Sequence, residues 1–129
     1  MEKIRGVFDG YCMSEEETTA EIKSTFESEG YLIDPHTAVG LGCVKKYRAD
    51  SGDMTPVVLA STASPYKFAP AVADAIGVEY GDDIFALLDD LSAKTGTEVP
   101  APLAGTRNLS VRFEETVNPT EMPDVVFRV

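Results

Sequence analysis

The chain has 129 residues, 43% of them apolar and 26% charged, and carries a formal charge of −11. That length suits one domain burying about two-thirds of its unfolded surface, and the apolar share argues against a disordered acidic tail. No apolar run approaches the roughly 18 residues of a membrane span, and the first six residues lack a secretory apolar stretch. Basic residues stand singly apart from Lys45, Lys46 and Arg48. This pattern argues against nucleic acid, and the trio reads as the solvated end of a helix, where cations suit the dipole.

Residues 1–13 read as an extended lead-in through Ile4, Val7 and Phe8, interrupted by Gly6 and Gly10. Ser14-Glu15-Glu16-Glu17 predicts a helix start with a capping box, and Gly30 predicts its left-handed end. Ile22 and Phe26, four residues apart, mark the buried stripe. Asp34-Pro35 predicts a second start, with Asp as cap and Pro at the first helical position. Ala38, Leu41, Val44 and Tyr47 carry this helix to about residues 49–52. Gly40-Leu41-Gly42 lies within it, so it reads as close packing rather than a dinucleotide loop, which requires a preceding strand.

Pro56-Val57-Val58-Leu59-Ala60-Ser61 is an unalternating apolar run and predicts a parallel strand covered on both faces. A first turn at 65–68 follows, with Ser64 as its cap, then a helix from about Pro70 to Ile76, closed by Gly77. Another helix starts at Asp82 or Asp83, carries Ile84, Leu87, Leu88 and Leu91, and stops before Gly96. Residues 98–105 read as a proline-rich irregular link. Residues 109–117 and 124–129 read as strands of a C-terminal hairpin, in which Val111, Phe113 and Glu115 alternate with Arg112 and Glu114.

The expected architecture is α/β, with helices packed on a short parallel sheet and a C-terminal hairpin. One buried strand requires parallel neighbours that this chain barely supplies. The run therefore reads as a strand shaped to pair with a segment outside the chain.

Cys12 and Cys43 form neither a disulfide framework nor a zinc set, and reduced thiols in a cytoplasmic compartment are the expectation. One histidine and no Cys-x-x-Cys pair argue against a metal site. The hydroxyls of Ser61, Thr62 and Ser64 cluster at the carboxyl end of the expected strand, where α/β folds bind ligands. Turn chemistry is the plainer role for them, as local hydrogen bonding is for His36.

Gly30-Tyr31-Leu32-Ile33-Asp34-Pro35-His36-Thr37-Ala38-Val39-Gly40 resembles the Gly-Tyr-x-x-Asp-Pro-His-Thr-Ala-Val-Gly segment of threonine synthases. Ala60-Ser61-Thr62-Ala63-Ser64-Pro65-Tyr66-Lys67-Phe68 resembles that family's later Ser-Thr-Ala-His-Pro-x-Lys-Phe segment, in the right order. The resemblance covers about residues 14–80. It implies the C-terminal part of the large domain of a fold-type II, tryptophan-synthase-β-like enzyme that uses pyridoxal phosphate. Such an enzyme converts O-phospho-L-homoserine and water to L-threonine and phosphate.

By that resemblance Thr62 faces the cofactor's pyridine nitrogen and Ser64 replaces a family histidine; Ser61, at the end of the expected strand, and His36 are expected to line the pocket. The family's cofactor-binding lysine and glycine-rich phosphate cup lie upstream of the matched region. The chain thus reads as one partial domain: a lead-in at 1–13, the matched part at 14–96, and a C-terminal link with strands at 97–129. No catalytic residue is assigned within it, and it is expected to be inactive alone, with the remainder of the enzyme polypeptide as partner. A non-catalytic module that self-associates through the strand edge is the competing reading, and a fragment of another pyridoxal-phosphate lyase is a third. Exposed apolar surface is expected in either of the first two cases.

Overall fold

The computed structural model describes residues 2–112 and 114–128. A four-residue helix, α1 (Glu2–Arg5), opens the chain where an extended lead-in was expected. Helix α2 spans Glu15–Glu29 and α3 spans Pro35–Ser51. A 3-10 turn at Pro65–Phe68 leads into α4 (Ala69–Ile76), followed by α5 (Ile84–Thr95). The tail holds α6 (Ala101–Gly105), 3-10 turns at Thr106–Asn108 and Pro119–Glu121, and α7 (Met122–Val126).

The helix ends follow the local chemistry of the sequence. Ser14 Oγ accepts from the Glu17 amide at 3.2 Å, while the Glu17 carboxylate accepts from the Ser14 amide at 2.8 Å. This reciprocal pair satisfies two amides that have no intrahelical partner. Asp34 caps α3 and Asp83 caps α5 through their carboxylates. Four glycines, Gly30, Gly52, Gly77 and Gly96, end α2 to α5 with φ between 65° and 71°. Residues with a Cβ adopt that conformation at a cost, so each glycine stops its helix.

Helix α2 packs on α3 and α4, and α4 packs on α5. Leu32, Tyr66, Ala69, Val72, Ala73, Leu87, Leu88 and Leu91 form one core cluster. Ile22, Ile33, Ala38 and Ala75 form a second. The half-buried Ile76 packs against both clusters, joining them. The link after α5 is fastened at two points: the Tyr66 hydroxyl donates to the Thr97 carbonyl at 2.9 Å, and Arg107 pairs with Asp89 at 2.9 Å while lying over the Phe85 ring.

The expected parallel sheet is absent: the described residues are helical or irregular and contain no strand. Pro56–Ser61 is instead an extended segment laid along α3, antiparallel to it. Asp53 accepts from the Tyr47 hydroxyl, and the Thr55 carbonyl accepts from Arg48. Further along, Leu59 covers Gly40, and Ser61 meets Thr37. A Cβ on Gly40 would stand 2.7 Å from Leu59 Cδ1, so the glycine does permit close packing, here against a side chain of the extended segment. Val58 points away from α3 and is 96% exposed. The run is β-branched and apolar, but strand pairing requires a second backbone hydrogen-bonded to it, and among the described residues no strand pairs with it.

The C-terminal hairpin is also replaced. Asn118 and Glu121 form a capping box, so Pro119–Glu121 starts a turn of 3-10 helix that continues into α7. Pro at the first position favours that start and removes a donor that a hairpin would use. Phe113 and Val129, included in those expected strands, lie outside the described residues. Within the link expected to be irregular, Ala101–Gly105 is helical, and a 3-10 turn at Thr106–Asn108 continues it.

Lys45 and Lys46 are not at the end of α3. They turn back onto α2, where Lys45 pairs with the buried Glu21 at 2.5 Å and Lys46 pairs with Glu17 at 2.7 Å. Arg48, in the last turn of α3, binds the extended segment.

Candidate functional site

The N-terminus of α3 is organised by one carboxylate. Asp34 is completely buried. Its Oδ1 accepts from the amides of His36 at 2.9 Å and Thr37 at 3.4 Å. The His36 ring Nδ1 lies 3.2 Å from the same oxygen. Oδ2 accepts a short hydrogen bond from the Thr37 hydroxyl. Burial pushes the Asp34 carboxyl up, yet the bonds from the Thr37 hydroxyl, the two amides and the His36 ring outweigh it and hold the group below the usual carboxylate range.

This hub reaches the second motif segment. Thr37 Oγ1 and Ser61 Oγ are 2.9 Å apart. A hydroxyl has one proton, and that of Thr37 is directed at an ionised oxygen that can only accept. Ser61 therefore donates to Thr37, and Thr37 donates to Asp34. The Ser61–Thr37 bond joins residues 24 positions apart and fixes the end of the extended segment against α3.

Thr62 follows directly and is exposed. Two residues later, Ser64 caps the next turn, its hydroxyl accepting from the Tyr66 amide at 3.3 Å. His36 is exposed on one side and packs on the other against Phe68, ring centroids 4.9 Å apart. The structure thus brings His36 to Asp34 directly and Ser61 to it through Thr37, with the exposed Thr62 next in the chain after Ser61.

Asp34 and Thr37 are absent from the site read from the sequence. The signal for Asp34 is present as a helix cap, but its link to Ser61 depends on a long-range contact that spacing alone does not reveal. Phe68 is likewise legible only as part of the second motif.

Among the described residues no group of three or more His, Cys, Asp or Glu side chains could hold a metal ion, and no helix is long and apolar enough to cross a membrane. Cys12 and Cys43 are both free thiols.

The family model described as "Threonine synthase, C-terminal" matches residues 37–125. Among curated proteins, threonine synthase-like 1 of Mus musculus is 40% identical over 79 residues, covering 61% of this chain and 10% of that protein. Threonine synthase of Pseudomonas aeruginosa is 37% identical over 89 residues, covering 69% of this chain and 18% of its own length. Threonine synthase of Schizosaccharomyces pombe is 43% identical over 76 residues, covering 56% and 14%. No solved structure matches. The chain therefore spans between a tenth and a fifth of the length of these relatives. Thr37, Ser61 and Thr62 all fall within the matched region, and the chain belongs to the threonine synthase family, matching its C-terminal portion.

Proposed function

We propose that this chain serves as the C-terminal portion of the large domain of a threonine synthase, an enzyme converting O-phospho-L-homoserine and water to L-threonine and phosphate. The observation that carries the reading is the hydrogen-bonded path from Ser61 through Thr37 to Asp34, which joins the two family-like segments into one site. Pyridoxal phosphate, when bound in the complete enzyme, supplies the electron sink for proton removal and phosphate elimination.

The residues present fit one end of that cofactor. Thr62 is a neutral, accessible hydroxyl suited to bond a pyridine nitrogen without the proton-holding field of a carboxylate. The adjacent Ser61 is tied to Thr37, which sets the direction of the backbone entering Thr62. Thr62 stands on an open segment, whereas a cofactor site encloses its ligand with converging polar groups. The enclosure, the covalent lysine and the phosphate donors are accordingly assigned to the remainder of the enzyme polypeptide. That remainder is also the partner proposed for the open side of residues 56–60, completing the partial domain. The free thiols of Cys12 and Cys43 suit a reducing compartment, and the cytoplasm is the one proposed.

The test is rescue of a threonine auxotroph by a hybrid in which this chain replaces the equivalent portion of the Pseudomonas aeruginosa enzyme. Growth without threonine is expected from the hybrid and not from the chain alone. A soluble hybrid that gives no growth overturns the reading.

A second reading, self-association through the same open side, draws on the uncharged stretch from Met54 to Pro65 and the outward Val58. On this reading, sedimentation over a concentration series shows a reversible dimer that Val58→Lys abolishes. A monomer at every concentration removes it.

A further inference from the structure

We propose that His36 is a proton-accepting residue of this site, its imidazole held by Asp34 with the hydrogen on Nδ1 and the Nε2 lone pair left open. The proposal rests on the reading of the chain as part of a threonine synthase, and it adds a role that the family-like motifs do not specify.

The argument starts from the carboxylate. Asp34 is buried and already receives three protein donors besides the ring: two amides and the Thr37 hydroxyl. Such an oxygen set is ionised and can only accept. The 3.2 Å contact between Asp34 Oδ1 and His36 Nδ1 is then a hydrogen bond only if Nδ1 carries the proton. In the neutral ring this leaves Nε2 as the acceptor. Free histidine in water favours the opposite tautomer, so the arrangement is imposed by the fold.

The ring is restrained a second time by Phe68, whose plane is tilted 59° to it. The side chain nevertheless stays 71% exposed, so a ligand can approach. Beside it lies a cavity of about 310 Å³, lined also by Met13, Glu15, Thr18, Pro35 and Val39. Glu15, from the first turn of α2, is the other charged group on that cavity.

The proton balance is complete without a further reagent. An X–H group meeting Nε2 gives up its proton, the electron pair stays on X, and a new N–H bond forms. The resulting imidazolium keeps its Nδ1–H bond to the Asp34 carboxylate, which offsets the new positive charge without itself taking the proton. A buried carboxylate that sets imidazole tautomer and charge in this way is a recurring arrangement in acid–base sites. Asp34 is thus the positioning residue. Because the same carboxylate anchors Thr37 and Ser61, it aligns His36 with the segment carrying Thr62.

The test uses the full chain labelled with nitrogen-15. His36 is the sole histidine, so its two ring nitrogens are observed without overlap from other residues. With the ring neutral, the expected spectrum shows a protonated Nδ1 and an unprotonated Nε2. Asp34→Ser keeps a capping hydroxyl but removes the carboxylate, and should return the ring to the Nε2–H form. A native chain with Nε2–H as its major tautomer overturns the proposal, whether or not the Ser variant folds. That outcome leaves the threonine synthase reading intact. Failure of the hybrid enzyme would refute that reading without altering the tautomer.

Discussion

Replacing Asp34 by alanine is expected to lower the unfolding free energy by about 2–4 kcal/mol. Loss of an N-cap costs about 1 kcal/mol, and leaving buried donors without their acceptor adds roughly 1–3 kcal/mol. The donors left behind are the Thr37 hydroxyl and the amides of His36 and Thr37. Urea unfolding measures the change as a lower midpoint. Asn keeps the cap and should cost less, roughly 1 kcal/mol.

The same residue gives the stability a pH dependence of definite sign. The folded-state pKa of Asp34 lies below its ordinary value. Its contribution is therefore complete above the unfolded value, about 3.9, and disappears as pH falls through the folded one. The stability gap between the native chain and Asp34→Asn should shrink as pH drops below about 4. Unfolding curves in that acid range check it. A gap that widens below about pH 4 contradicts the ionised hub.

Leu91→Ala is expected to be similarly severe, at about 2–5 kcal/mol, because truncation of a core leucine combines lost burial with a cavity. Leu91 is fully buried on α5, within the cluster that includes Leu87, Leu88 and Val72. Leu91→Met conserves volume and should cost less than about 1.5 kcal/mol. Comparable losses for both variants would show that this cluster is not closely packed. Denaturant midpoints distinguish the two cases.

The parts of the fold legible in the sequence are those specified by near neighbours. Ser14 with Glu17, Asp34 with Pro35, Asp83, and the four helix-ending glycines state their roles within a few residues, and the helices α2 to α5 follow from them. The sheet is where such reading fails. An apolar, β-branched run signals an environment in which it is paired and covered, but both conditions depend on a second backbone. Among the described residues, Leu59 and Ser61 of this run meet α3 while Val58 faces solvent. At the C-terminus, alternation around Val111 suggested a hairpin, while Asn118-Pro119 and Glu121 encode a local helical start.

The site divides along the same line. Thr62, Ser61 and His36 stand out by their motif positions, and Asp34 is recognisable as a cap. That one carboxylate serves both segments is legible only once Thr37 and Ser61 are seen in contact. The hydrogen bonds of a helix cap are local, whereas the positioning of a reactive segment depends on tertiary structure.

Thr62, in a chain of the threonine synthase family, is proposed to face the reacting cofactor in the complete enzyme. The most direct measurement is the turnover of O-phospho-L-homoserine by the purified Pseudomonas aeruginosa hybrid carrying this chain, compared across Thr62, Thr62→Ser and Thr62→Val. Threonine formation is expected with Thr or Ser at this position, and a fall in kcat of roughly tenfold or more with Val, corresponding to about 1.4 kcal/mol in the barrier. A folded, cofactor-loaded hybrid that forms no threonine, or a Val variant that turns over like the native chain, would contradict it.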